Sequence, residues 1–275
     1  MNTSTRVYRF VNTEPLDAPL NMAIDEAILT QYLAGKVPPT LRAFRWTQTA
    51  ITLGRFQNVE REIEQERCQQ QGIALVRRPT GGRAVYHRDE FTYSLVIGKR
   101  ENVPSGVVAA YAYLAQGLQA ALQQLGIPSE LSEEHVSKNP SAACFASSTQ
   151  ADLTAQGFKI IGSAQVWKDD ALLQQGSLPL DDRSEEFFSL LRFPTEAARA
   201  EALALYQTKT TPLHTFVPDA TREQVTQAFS TGFGNALQAQ FVQEELSKAE
   251  WDMAQQLVEE KYNKLVWIKE RITLV

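Results

Sequence analysis

Histidine and cysteine are almost missing from this sequence, with three and two of them in 275 residues. Cys68 and Cys144 are too few to staple a disulfide scaffold, and no Cys/His spacing matches a zinc site. A metal-dependent mechanism is therefore not expected, and nothing calls for a cofactor. Basic residues are also in short supply. The net charge of -5 and the pI near 5.4 argue against a general nucleic-acid binder. No apolar run approaches the length of a membrane span, and no apolar stretch follows Met1–Arg6 as it would in a secretion signal. The protein is expected to be soluble and cytoplasmic, with no membrane partner. Low-complexity tracts and fixed-period repeats are absent as well. The chemical material that remains is carboxylates, lysines, one candidate thiol and backbone donors.

What is present centres on the run from Arg77 through Arg78, Pro79, Thr80, Gly81, Gly82 and Arg83 to His87. An apolar run, Ile73 to Val76, leads into it, and a second strand-like run, Phe91 to Ile97, follows. Pro79 and the glycine pair interrupt any regular element, so the stretch reads as strand, sharp loop, strand. Gly81 and Gly82 let the backbone approach a ligand and present its N–H groups. Three arginines around the loop suit an anionic or acceptor-rich partner. Taken alone, the stretch reads more readily as a tight hairpin with a solvated basic rim.

Elsewhere, Val7–Val11 alternates as a first strand. A helix with an apolar face follows from Asn21, which is a plausible N-cap, with Asp25 and Glu26 favouring its early turns. These two carboxylates point about 100° apart on a helix, so they read as structural and not as an acid/base pair. Leu41–Trp46 and Ala50–Leu53 read as paired strands, and 59–71 as a polar helix carrying Cys68, an incidental packed thiol. Val107–Gly126 is a long helix ended by Gly126 and Pro128. A polar loop then delivers Cys144, and strands are expected at 151–153, 158–167 and 171–180. From Ser184 the chain is mainly helical, with a closing stretch from Tyr262 that returns to extended structure. The pattern predicts an α+β fold, a single large mixed β-sheet domain flanked by helices with a helical C-terminal portion. It is expected to be one domain over residues 1–275, with its core at about 7–245.

Cys144 sits in a loop between a long helix and a strand, where function tends to accumulate. Alone it would be a small buried hydrophobe. Lys159 changes that reading, because it is a single lysine inside an otherwise apolar strand. Such a lysine either snorkels to the surface or points at a site. If it faces Cys144, its charge favours the thiolate that attacks. Gly162 would permit close backbone approach beside it.

Together the Arg77–His87 loop, the Asn21–Ala27 run, Asn139–Phe145, Lys159–Gln165 and Gln175–Ser177 resemble the biotin/lipoate protein ligase superfamily. Within it, the nearest likeness is to octanoyltransferases of the LipM type. The resemblance runs in the expected order from about residue 7 to residue 245. It implies that Cys144 forms a thioester with an octanoyl group and that Lys159, at the matching separation, tunes the thiol and contacts the acyl carbonyl. It further implies an octanoyl-acyl carrier protein as donor. The implied acceptor is a lipoyl-domain protein, such as glycine cleavage H protein or the E2 of a 2-oxoacid dehydrogenase. The substrate-binding set expected from the same blocks is Arg77, Arg78, Gly81, Gly82, Arg83, His87, Gly162 and Ser163. Arginines 77, 78, 83 and 88 would meet an acidic carrier. His87 would either assist proton transfer or serve as a hydrogen-bonded structural residue. Two positions depart from the pattern: Arg88 and Ala146 stand where relatives often carry Asp. An ATP-dependent lipoate–protein ligase shares the loop and the lysine but needs no cysteine. A non-catalytic lipoyl-domain or acyl-carrier binding protein would keep the arginine loop without using the Cys144–Lys159 pair.

Overall fold

The computed structural model describes residues 6–131 and 152–269. Cys144, Ala146 and the loop expected to deliver them lie outside the described residues, as does the end of the closing segment.

Eight strands make one mixed sheet. They are β1 (Arg6–Asn12), β2 (Thr40–Phe44), β6 (Glu90–Gly98), β7 (Glu130–Leu131), β8 (Leu153–Ala155), β9 (Phe158–Lys168), β10 (Ala171–Pro179) and β11 (Ala239–Gln243). Their spatial order is β11-β1-β2-β6-β10-β9-β8-β7. The two pairs at the β11 end are parallel and the rest antiparallel. A second sheet holds β3 (Ala50–Leu53), β4 (Ala74–Arg77) and β5 (Val85–His87), with β3 in the middle. The helices are α1 (Ala18–Leu33), α2 (Val59–Glu62), α3 (Gln65–Gln70), α4 (Val107–Gln124), α5 (Ser184–Ser189), α6 (Glu196–Gln207), α7 (Arg222–Leu237), α8 (Lys248–Leu257) and α9 (Leu265–Lys269).

The large sheet is covered on both faces, and β6 shows how. Phe91, Tyr93, Leu95 and Ile97 face a core shared with Leu114 and Leu118 of α4 and Phe229 and Phe233 of α7. Burying each such side chain contributes about 1.5–3 kcal/mol. The two-residue period turns Glu90, Thr92, Ser94 and Val96 the other way, where Val96 joins Met22, Ile24 and Ile28 of α1. That second face therefore carries three polar side chains into the interior, and it is the face on which the site lies.

The large mixed sheet, its flanking helices and the mainly helical C-terminal portion are as expected. So are the stop after α4, with Gly126 at φ 76°, and the β9–β10 turn, with Asp169 at φ 54°. Other expectations are corrected. α1 begins earlier, capped by Asp17, whose Oδ1 accepts from the Leu20 N–H at 2.8 Å. Asn21 is inside the helix, and Asp25 and Glu26 lie beyond the first turn where the helix dipole acts. β2 and β3 do not pair, because β2 already has β1 and β6 on its two edges and β3 opens the second sheet. The glycine loop is no hairpin, since β3 separates β4 from β5. The helix expected over 59–71 breaks where Ile63 turns extended (φ −124°) and buries its side chain. In the C-terminal portion β11 adds a parallel strand beside β1, and the described residues after Tyr262 form α9 and not a strand.

Candidate active site

The glycine loop is held from inside by the two arginines that precede it. Arg77, fully buried, donates to the carbonyls of Gly54 (2.7 Å), Arg55 (3.1 Å), Trp267 (2.9 Å) and Ile268 (2.7 Å). Arg78 donates to the carbonyls of Thr52 (3.1 Å), Gly81 (2.6 Å) and Arg83 (2.8 Å) and to Thr80 Oγ1 (3.1 Å). These guanidiniums satisfy backbone carbonyls that bend around them, as buried polar groups must be satisfied. Their charge is spent inside the protein, so the sequence reading that set them against an acidic carrier is revised. Arg83 and Arg88 stand further out, paired with Glu62 at 3.1 Å and with Glu186 at 2.8 Å. Gly82 (φ 85°) gives the loop its left-handed corner, and Gly54 lies directly beneath it. A Cβ at Gly54 would sit 2.0 Å from the Gly82 carbonyl oxygen, so the two strands can approach only without one.

A buried polar chain fixes this loop to α1. Thr80 Oγ1 donates to Gln175 Oε1 (2.8 Å), and Gln175 Nε2 donates to Asp25 Oδ2 (2.7 Å). Asp25 Oδ1 also accepts from Ser94 Oγ (2.7 Å) and from Arg42 Nη1 (2.8 Å). Arg42 reaches Asn21 Oδ1 as well (2.6 Å). Asp25 and Arg42 are wholly buried, and breaking such a pair from one side costs about 3–5 kcal/mol. Asp25 is thus structural, as read, but its function is to hold the roof of the site.

Between loop and sheet runs a narrow slot. Met22, Phe44, Trp46 and Val85 give it apolar walls, Gly162, Ser163 and Gly176 form its floor, and Arg78 and His87 border it. Gly176 is fixed from below, since a Cβ there would come 2.2 Å from the Tyr93 ring. A second, more polar cavity shares Ser177 with the slot and is lined by Tyr86, Asp181, Tyr206 and Thr210.

His87 is bonded at both ring nitrogens, Nδ1 to Glu90 Oε1 and Nε2 to Thr52 Oγ1 at 2.8 Å, and it stacks on Trp46 at 4.1 Å. That is the structural alternative of the two readings. Glu90 is also bonded by Trp46 Nε1 (3.0 Å), Thr92 and Ser177. Burial works against its ionisation, but the neighbouring His87 and these hydrogen bonds outweigh burial and hold the carboxyl below its usual range. None of Trp46, Thr52 or Glu90 was legible as a site residue, because each is brought in from a different strand.

Lys159 is buried too, and a β-bulge aims it. Leu153 pairs with Ile161, but the next residue, Thr154, pairs with Lys159, so Ile160 is an extra residue on β9. Without it, Lys159 would share the face of Ile161, which faces the α4/α7 core. With it, Lys159 turns to the other face, and its Nζ lies 2.8 Å from Asp152 Oδ1. Its backbone is clamped by Lys209 and Thr211, next to the second cavity. The structure thus brings Arg78, His87, Gly162 and Ser163 to one slot, whereas Gly81, Gly82 and Arg83 are not among the residues that line it and Arg77 is buried behind the loop. Asp152, missed in the sequence, carries no signal there beyond its place before a strand. Cys68 is buried in α3, where burial pushes its thiol up to about 11 and makes it unreactive. Among the described residues no cluster could hold a metal ion, and no helix is long and apolar enough to cross a membrane.

Residues 17–234 match the family of lipoyl protein ligase A/B catalytic domains. The chain belongs to that family. It is 35% identical over 95% of its length to an octanoyltransferase LipM from Carboxydothermus hydrogenoformans, covering 98% of that protein. It is 37% identical over 96% of its length to one from Moorella thermoacetica, again covering 98%. Among solved structures, it resembles the bipartite lipoate protein ligase of Thermoplasma acidophilum, described with its E2 lipoyl domain. The TM-score there is 0.84 at 23% identity, covering 98% of this chain and 99% of that one. Lipoate-protein ligase A bound with ATP gives 0.80 at 24% identity, covering 96% and 99%. At these identities the structural likeness concerns the fold alone.

Proposed function

We propose that this protein is an octanoyltransferase that acts in protein lipoylation. It takes an octanoyl group from an acyl carrier protein thioester and passes it to the lysine of a lipoyl-domain protein. The observation that carries this reading is end-to-end similarity, at 35–37% identity, to octanoyltransferases LipM. The slot supports it, being narrow, walled by apolar side chains and bordered by Arg78 at the start of the glycine loop. In the first step the Cys144 thiolate attacks the donor carbonyl, a thioester forms on the protein, and the carrier thiolate leaves and takes up a proton. In the second, the acceptor amine attacks that thioester, an amide forms and the Cys144 thiol is restored. Lys159 supplies positive charge near the thiolate and the carbonyl oxygen. One thioester replaces another and an amide follows, so the sequence runs downhill without nucleotide. Octanoylation of a lipoyl-domain protein, followed by intact mass, is expected from octanoyl-carrier protein alone. Strict dependence on ATP and free octanoic acid would instead make the protein a ligase.

A further inference from the structure

We infer that Asp152 is a positioning residue for Lys159, and that the one-residue bulge at Ile160 exists to let it act. What Lys159 does in turnover rests on the octanoyltransferase reading, whereas the ion pair does not. A lysine in an apolar strand ordinarily either snorkels to water or sheds its proton. Lys159 cannot snorkel, since its side chain is 8% exposed and its Nζ is 2.8 Å from a carboxylate that is itself 9% exposed. That carboxylate is its ion-pair partner and fixes where the Nζ sits. The Ile160 bulge places both groups on one face, as Thr154 pairs with Lys159 and Asp152 alternates with Thr154 along the same chain. On the far side, Lys159 N–H donates to the Lys209 carbonyl at 2.8 Å and its carbonyl accepts from Thr211 at 3.1 Å. The backbone is therefore pinned while the carboxylate sets the side chain.

Among the described residues, the other ionisable groups on these paired elements are Lys209, half-buried in the clamp, Lys168, exposed at the far end of β9, and Glu130, exposed opposite Thr154 on β7. Asp152 is the buried acid of the set. Lys159 so held is a hydrogen-bond donor fixed in place. That suits a group meant to stabilise a thiolate and then a carbonyl oxyanion in place.

The test is trace acetic anhydride labelling of Lys159 against pH, read by peptide mass, together with octanoyl transfer across the same range. In Asp152→Asn, Lys159 loses the partner that holds it, so it should acetylate several-fold faster, and octanoyl transfer should fall most where labelling rises most. Asp152→Glu should restore both profiles. A variant that loses activity equally at every pH, with unchanged Lys159 labelling, would overturn the proposal. If labelling shifts as expected but wild type transfers no octanoyl group, the functional reading fails and the ion-pair assignment stands.

Discussion

At the scale of single residues, the fold accounts for Cys68. Cys68 is buried in α3, and its thiol is pushed up to about 11. Iodoacetamide at pH 7.5 should therefore leave Cys68 unlabelled in the native protein over the time in which an ordinary exposed thiol, near 8.5, reacts. Rapid native labelling of Cys68 would refute its packing. Two buried carboxylates set the acid stability. Burial opposes the ionised form of both Glu90 and Glu250, and hydrogen bonds and neighbouring charge from His87 and Arg9 more than offset it. Both therefore lie below their usual range. A carboxyl depressed on folding stabilises the protein fully above its unfolded value of about 4.3, and that stability is lost as pH falls through the folded value. Glu90→Gln should thus unfold in less urea than wild type at pH 7, with the gap narrowing at pH 3. A gap that is the same at both pH values would show that the carboxylate charge contributes nothing.

At the scale of elements, the glycine loop is a composite of four distant segments. Arg77 joins the loop to α9 through the carbonyls of Trp267 and Ile268, and Trp267 Nε1 donates back to the Arg77 carbonyl at 2.8 Å. Arg77→Met would keep the apolar stem and strip the donors from these carbonyls. Each buried carbonyl so left costs about 1–3 kcal/mol. Expected outcomes are a lower melting temperature and faster amide exchange in α9 and near Gly54. Unchanged exchange in α9 would mean that the arginine does not hold it. This composite character also explains what the sequence could disclose. Strand runs such as Phe91–Ile97 and the placing of Lys159 within β9 were visible because local pattern determines them. The roles of Arg77 and Arg78 were not, because arginines beside glycines look the same facing a ligand or facing backbone. The insertion of β3 between β4 and β5 was hidden for a related reason, since sheet order depends on long-range pairing. The Ile160 bulge was hidden too: alternation in one strand does not say where its neighbour skips a residue.

At the scale of the whole molecule, a two-faced sheet divides the labour. One face is a packed apolar core under α4 and α7, and the other carries the Asp25–Gln175–Thr80 chain, the slot and the loop above it. The rigid face lets the polar face keep its buried charges in register, which a site built for acyl transfer requires. The central claim is that this site works through a covalent octanoyl thioester on Cys144. It is tested most directly by incubating the protein with octanoyl-carrier protein, without nucleotide or acceptor, and measuring its intact mass. The account predicts one added octanoyl group, mapped by peptide mass to Cys144, absent in Cys144→Ser and discharged by a lipoyl-domain protein. Octanoyl transfer to that acceptor by Cys144→Ser at the wild-type rate, or an adduct elsewhere on the chain, would contradict it.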